Sequence, residues 1–101
     1  MTTAATRQSN LVGVELTPGE EAEAVGNACC DADETVSARA MPAAIYIEAP
    51  DRLEIRMDDV TEHLGRDFTA DDLQMIMASY FGVIDQWDDE AVVLCWSEAP
   101  A

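Results

Sequence analysis

Three clusters of adjacent carboxylates are the residues of this chain best suited to acid–base chemistry. They are Asp58-Asp59, Asp71-Asp72 and Asp88-Asp89-Glu90, and a positioned carboxylate can take or supply a proton at a reacting atom. Each cluster, however, falls where the pattern predicts a helix start or a hairpin tip. Acids are favoured at both places because they cap helices, offset the helix dipole and stabilise turns. We therefore predict structural roles for all three clusters.

The residues that could bind a metal ion or act as a nucleophile do not have the sequence spacing that such sites require. The three cysteines include the adjacent pair Cys29-Cys30, and His63 is the one histidine of the chain, so neither a CxxC nor an HxxxH pattern predicts a zinc or iron site. The acids within residues 31–34 lack the spacing of a calcium loop. Ser79 has no glycine-flanked elbow. We expect reduced thiols, a surface histidine and a protein without metal or other cofactor.

Composition indicates one folded and strongly acidic domain. The chain has 101 residues, 49% of them hydrophobic, and 21 acids against 5 basic residues leave a net charge of -16 at pH 7. Nucleic acids and anionic membranes bind cationic surfaces and are therefore excluded as partners. The charge keeps the chain soluble, and beside a contact surface it would steer the chain towards a basic partner. Without a secretory or membrane-spanning apolar run, a cytoplasmic location is expected.

The first half of the domain is predicted to fold as a strand, a helix and a hairpin. Its strands follow alternating apolar residues over 11–16, 35–40 and 43–49. The helix is predicted to begin with Thr17 as its cap, Pro18 in the first turn and Glu20 completing a capping box, and to end near Cys30. Its apolar stripe contains Ala22, Val25 and Cys29. Residues 1–10 are small and polar, which predicts a flexible arm.

The second half repeats that order. A strand over 53–55 precedes a short helix that Asp58 caps and Gly65 ends. A capped turn over 69–72 then leads to strands at 73–79, 83–87 and 91–96, the last two joined as a hairpin. Residues 97–101 are expected to be frayed. The prediction is an α+β domain over 11–96, built from two consecutive strand-helix-strand-strand units with mostly antiparallel sheet; Trp87 and Trp96 are predicted to lie in its core.

The strand predicted over 73–79 is apolar on both faces. Leu73, Met75 and Met77 lie on one face, and Ile76 and Ala78 lie on the other. Only one face can pack on the core of a domain this small. The other is either covered by a helix of the same chain or left for a partner, with Tyr80 and Phe81 beside it as anchors. The pattern alone favours neither alternative.

The stretch from Leu64 to Trp96 resembles the small regulatory, or effector, proteins of bacterial diiron monooxygenases, which oxidise methane, phenol, toluene and alkenes or isoprene. The family motif reads roughly Leu-Gly-Arg/Lys-Pro-Phe, a short spacer, then Leu-x-Ile-x-Leu/Val-Ala/Ser-Ser-Phe-x-Gly. The matching residues are Leu64, Gly65, Arg66, Phe68, Leu73, Met75, Met77, Ala78, Ser79, Tyr80 and Gly82. The stretches 10–13 and 44–47 resemble the family's opening and middle strands. The chain departs from the motif at Val14, Asp67, Ile76 and Phe81.

The resemblance implies a non-catalytic protein without metal, flavin or iron–sulfur cluster. It would dock on the diiron hydroxylase of the same monooxygenase system and shift the helices that hold the iron ligands, coupling reduction and O2 activation to hydrocarbon oxidation. This requires only that the effector bind one hydroxylase conformation better than another. Competition or coordination with the ferredoxin or reductase is compatible with this role.

The resemblance and the second apolar face together predict the contact surface. Its residues are Ile76, Ala78, Ser79, Tyr80, Phe81 and Gly82, with Asn10 and Val12 of the first strand adjoining. Gly82 would allow a tight turn, and Ser79 would offer a hydrogen bond at the edge. Two alternatives stay open. One is a small acidic α+β enzyme or ligand-binding domain that uses the paired carboxylates, and the other is an interaction module unrelated to oxygenases.

Overall fold

The computed structural model describes residues 11–96, which form two antiparallel sheets and three helices. The elements are β1 (Leu11–Leu16), α1 (Glu20–Ala32), β2 (Ser37–Met41), β3 (Ala44–Pro50), β4 (Arg52–Arg56), α2 (Met57–Leu64), α3 (Ala70–Ile76), β5 (Met77–Phe81), β6 (Val83–Trp87) and β7 (Ala91–Cys95). The strand orders are β2-β3-β1-β5 and β4-β7-β6. The predicted α+β class with mostly antiparallel sheet is confirmed. Within residues 11–96, each helix is too short or too polar to cross a membrane.

β1 is central to the larger sheet because it pairs with strands from both halves of the chain. Val14 lies opposite Ile47 of β3 on one side and opposite Tyr80 of β5 on the other. The second pairing brings β5 into the sheet of the first half. The other strands of the second half, β4, β6 and β7, form the smaller sheet. The two sheets are therefore joined through β5 and β6, which follow each other directly.

Gly82 is the joint between β5 and β6. Its φ of 110° lies in the left-handed region that favours glycine. A Cβ on this residue would come within 2.8 Å of Cγ1 of Val12, so a larger residue would need the first strand to move. The prediction that Gly82 allows a tight turn is confirmed.

One apolar core joins both sheets and all three helices. Alternating strand residues supply most of it, namely Val12, Val14, Leu16, Ile45, Ile47, Leu53, Ile55, Val92 and Leu94. On α1, the predicted stripe of Ala22, Val25 and Cys29 is buried, which confirms that prediction. Trp87 and Trp96, predicted to be core residues, are only half-buried and pack against it. Every charged side chain within residues 11–96 lies at least partly in solvent.

The predicted starts of α1 and α2 are wrong. α1 begins at Glu20 after Gly19, without a side-chain cap. The backbone N–H of Thr17, three residues earlier, donates to the carbonyl of Ile76 (2.7 Å), so Thr17 belongs to the end of the sheet and not to the helix. α2 begins at Met57, one residue before Asp58, and also lacks a side-chain cap. Its end is as predicted, since Gly65 adopts the left-handed conformation and its N–H donates to Thr61.

The strand predicted over 73–79 is also wrong in its first half. Residues Ala70–Ile76 form α3, and β5 starts only at Met77. The reason is a capping box. The Asp72 N–H donates to Thr69 Oγ1 (3.2 Å) and the Thr69 N–H donates to Asp72 Oδ2 (3.0 Å), so the predicted turn continues as a helix.

Candidate docking surface

The longest stretch of the chain without a charged residue runs from Leu73 to Ile84. It forms α3, β5 and the start of β6, and although Leu73 is buried, none of the residues from 74 to 84 is. Three of the four large apolar side chains that are exposed within residues 11–96 lie here, with Met75 84%, Tyr80 48% and Val83 40% exposed. An uncharged, apolar stretch that the domain leaves unburied is typical of a protein–protein interface.

A groove of about 410 Å³ lies in this stretch. Its lining residues come from α3, β5 and β6, namely Gln74, Met77, Ala78, Ser79, Tyr80, Ile84 and Trp87. β5 and β6 are edge strands of the two sheets, so each carries backbone hydrogen-bonding groups that no neighbouring strand of its sheet uses. The surface formed by residues 74–84 and Trp87 is called the docking surface below. It combines an apolar groove with backbone groups able to bind a partner.

The structure separates the predicted contact residues by their exposure. Ala78, Ser79 and Tyr80 are exposed and line the groove. The half-buried residues also contact the rest of the domain. Ile76 packs against the core. The ring of Phe81 lies over Gly13 of β1, since a Cβ added to Gly13 would come within 2.8 Å of the Phe81 Cζ. Gly82, also half-buried, is the joint described above.

The prediction for Val12 is contradicted. Its side chain is fully buried, at 0% exposure, because it packs beneath Gly82. It supports the docking surface from below and cannot touch a partner. Asn10 lies outside the described residues, and its contact role stays a prediction.

Several residues of the docking surface were not predicted to belong to it. Met75 was predicted to lie on the inner face of a strand, and Trp87 was predicted to lie in the core. The other residues that were not predicted are Gln74, Met77, Val83 and Ile84. The helical period of α3 explains the first miss, since it turns Met75 away from Leu73. The length of the uncharged stretch is a sequence signal that would have found most of them.

Negative charge dominates the rest of the described surface. The arginines within residues 11–96 are all paired with acids: Arg39 with Glu48 (3.2 Å), Arg52 and Arg56 with Glu54 (3.3 Å each), and Arg66 with Glu20 (3.0 Å). The hydroxyl of Ser79 donates to Glu15 (3.3 Å), which places a carboxylate at the edge of the docking surface. Acids that have no arginine partner leave a field that favours approach of a cationic region.

The carboxylate clusters take the structural roles predicted for them. Asp72 belongs to the capping box of α3, and Asp58 and Asp59 lie in the first turn of α2. Asp88 accepts hydrogen bonds from the N–H groups of Glu90 (2.9 Å) and Ala91 (3.1 Å). These backbone bonds, that of Ala91 foremost, lower the pKa of Asp88. Its carboxylate therefore holds the β6–β7 turn.

The surroundings of the cysteines and of His63 indicate structural roles, not catalytic ones. Burial raises the pKa of Cys29 to about 12, which keeps this thiol neutral at pH 7, and all three cysteines are free. His63 lies between the carbonyl of Asp59 and the carboxylate of Asp31. Within residues 11–96, no group of three or more His, Cys, Asp or Glu residues is arranged to hold a metal ion.

A small α+β domain that leaves an uncharged apolar groove unburied has the features of a protein-binding module. The chain belongs to the MmoB/DmpM family, whose model matches residues 10–95. This family comprises regulatory or stimulatory components of monooxygenases, not catalytic subunits, and the resemblance seen in the sequence is confirmed.

Two of the relatives match this chain along almost their whole length. The stimulatory component DmpM of phenol 2-monooxygenase from Pseudomonas sp. (strain CF600) is 33% identical over 88 residues, which are 87% of this chain and 97% of that protein. A chain from the solved phenol hydroxylase–regulatory protein complex superposes with a TM-score of 0.75 at 26% identity, covering 86% of this chain and 99% of that one. The soluble methane monooxygenase regulatory protein B, at 19% identity, shares the fold with a TM-score of 0.66 over 88% of this chain and 67% of that one.

Proposed function

We propose that this chain binds the hydroxylase of a multicomponent diiron monooxygenase and tunes its active site, contributing neither a catalytic group nor a cofactor. The observation that carries the proposal is the docking surface, an uncharged stretch with an apolar groove that the domain itself leaves unburied. Family membership supports the choice of partner, since a related regulatory chain was solved in complex with phenol hydroxylase.

Tuning follows from unequal affinity for two hydroxylase conformations. At saturation, a protein that binds one conformation more tightly multiplies the ratio of the two conformations by the ratio of its affinities for them, even though it supplies no reacting atom. In this role the chain shifts the helices that hold the iron ligands and so couples reduction and O2 activation to hydrocarbon oxidation. The hydrocarbon is selected in the hydroxylase. Ferredoxin or reductase binding competes or is coordinated with this docking, and all components act in the cytoplasm.

The contact residues in this proposal are those that the structure leaves accessible. Ala78, Ser79 and Tyr80 form the exposed part of β5, and Met75 and Val83 extend it on either side. Tyr80 is the anchor because a half-exposed aromatic ring at a groove offers a large area to a partner at a small cost in side-chain entropy. Asn10 is retained as a neighbouring contact.

Substitution of Tyr80 by alanine tests the surface. Tyr80→Ala should raise the Kd for the hydroxylase by about thirtyfold, the effect of losing a buried anchor worth about 2 kcal/mol. The thermal melting temperature should change little, because the ring is 48% exposed. Calorimetric titration of the hydroxylase and circular dichroism melts provide the two measurements.

Met41→Ala is the matched control. Met41 is 46% exposed and lies on β2, at the opposite edge of the sheet that ends in β5. It should bind the hydroxylase like the wild type. Equal loss of affinity in both variants, or a Tyr80→Ala protein that binds normally, would refute the proposed surface. Ile76→Asp is a poorer test, because Ile76 packs against the core and its loss should also lower stability.

A further inference from the structure

Met75 is the most exposed large apolar side chain within residues 11–96, at 84%. It lies on α3, two residues after the buried Leu73 and directly after Gln74, which lines the groove. The helix turns Leu73 inward and Met75 outward, so the thioether sulfur stands in solvent at the margin of the docking surface. A thioether in this position is both a potential contact and a chemically accessible group.

The other described methionines provide an internal comparison. Met57 is 2% exposed, Met77 is half-buried, and Met41 is 46% exposed but lies on β2. Because peroxides oxidise methionines in order of their accessibility, Met75 should react first among these four. The thiol of Cys29 is protected by burial and by a pKa raised to about 12, since the thiolate is the reactive form.

We propose that Met75 is an oxidation site at which a peroxide weakens the docking of this chain on its hydroxylase. The inference rests on the proposed function and adds a means of regulating the same surface. Oxidation takes place in the free chain, where the side chain is accessible, and acts on the next docking event.

The chemistry needs only hydrogen peroxide as the oxidant. A lone pair of the Met75 sulfur attacks one peroxide oxygen, the O–O bond breaks and an S–O bond forms. The other oxygen leaves as water with both hydrogens of the peroxide. Sulfur is oxidised by two electrons to the sulfoxide and the peroxide is reduced by two.

The sulfoxide opposes docking because of where it lies. The stretch from Leu73 to Ile84 contains no charged residue, and the thioether of Met75 offers only a weak acceptor, so the partner groups that pack against Met75 itself should be apolar. A sulfoxide oxygen buried against such groups loses its hydrogen bonds to water without gaining a replacement. At Met41, on the far edge of the sheet, the same modification stays in water and has no such cost.

The test compares oxidised and unoxidised full-length protein. The free chain is treated with hydrogen peroxide, the peroxide is removed with catalase, and any oxidised thiols are restored with dithiothreitol. Peptide mass spectrometry then gives the extent of oxidation at each methionine, and titration of the hydroxylase gives Kd. For the wild type, oxidation among the four described methionines should appear first at Met75 and should raise Kd about tenfold, and methionine sulfoxide reductases A and B should restore it.

Three variants make the result specific to one residue. In Met75→Leu, the ratio of Kd after and before oxidation should be close to one, whatever its starting affinity. In Met41→Leu, the ratio should equal that of the wild type. Met75→Gln, which places a polar group at the same position, should raise Kd without any peroxide.

The outcomes distinguish this inference from the proposed function. If Tyr80→Ala weakens binding but oxidation of Met75 does not change Kd, the oxidation site is refuted and the docking surface stands. If Met75→Leu loses affinity on oxidation as the wild type does, another methionine is responsible and the inference is wrong. If neither Tyr80→Ala nor oxidation alters binding, the docking surface itself is wrong.

Discussion

His63 is an exposed side chain whose environment is set in part by Asp31, a residue distant in the sequence. Its Nδ1 lies 2.9 Å from the carbonyl of Asp59 and its Nε2 lies 2.8 Å from Oδ2 of Asp31. Both partners are acceptors, so both ring nitrogens can donate only when the ring is protonated. The hydrogen bond to Asp59 and then that to Asp31 raise the pKa of His63. The charged ring therefore ties α2 to the end of α1.

The contribution of His63 to stability should depend on pH. Because its pKa is higher in the folded chain than the 6.5 of the unfolded one, its stabilisation is fully present below pH 6.5 and is lost as pH rises through the folded value. The melting temperature of His63→Ala should thus lie below that of the wild type at about pH 5.5, and this difference should narrow towards about pH 8.

Asp31→Asn is the companion variant for this experiment. It keeps the shape of the side chain but removes the charge that faces the imidazolium. In an Asp31→Asn background, the loss of melting temperature that His63→Ala causes at low pH should therefore be smaller. A loss of constant size across the pH range would show that His63 acts through packing. The surface location of His63 was predictable from its place on a short helix, whereas Asp31 was not a predictable partner, because it lies on another element.

At the scale of elements, α3 is where the sequence pattern was misleading. Leu73, Met75 and Met77 satisfy the alternation of a strand, but Leu73, Ile76 and Met77 satisfy the spacing of a helix equally well. Short apolar runs fit both periods, and the capping box at Thr69 and Asp72 decides the outcome. The strands with buried alternation, such as those containing Ile45 and Leu53, were predictable because their exposed positions are polar or small.

Thr69→Ala should destabilise the domain by about 1 kcal/mol, the usual effect of losing a side-chain cap. Its hydroxyl accepts the Asp72 N–H, and α3 is only 7 residues long, so few other hydrogen bonds hold its first turn. For a domain of this size the melting temperature should fall by about 4–8 °C. Thr69→Ser keeps the hydroxyl and should melt close to the wild type. Similar melting of the alanine and serine variants would show that the cap contributes little.

At the scale of the whole molecule, the α+β class and the two successive units were predictable from the order of elements. The pairing of β1 with β5 was not, because it joins residues from opposite ends of the domain and leaves no local pattern. The docking surface was predicted in its central part, Ala78 to Gly82. Met75 was missed because its segment was predicted as a strand and not as the helix α3, and Trp87 was missed because it was predicted to lie in the core.

The net charge of -16 should make stability depend on salt. The described domain measures 45 × 32 × 23 Å, and the Debye length falls from about 30 Å in 0.01 M salt to about 10 Å in 0.1 M. Repulsion among the acids therefore spans the molecule in dilute buffer and is screened by added salt. Raising NaCl from about 0.01 M to about 0.1 M should raise the melting temperature at pH 7.

The same titration near pH 4.1, the isoelectric point calculated from the sequence, provides the control, because there is no net charge to screen. Salt should then have little effect. A melting temperature that falls with salt at pH 7 would mean that the arginine–carboxylate pairs outweigh the repulsion among the remaining acids.

The pairing of β1 with β5 also has a consequence for the order of folding. Val14 and Tyr80 become neighbours only after almost the entire domain has been synthesised and both halves have collapsed. The docking surface is therefore incomplete in a chain that has folded only the first half of the domain, up to β3. On the proposed function, binding to the hydroxylase would thus require the completely folded domain.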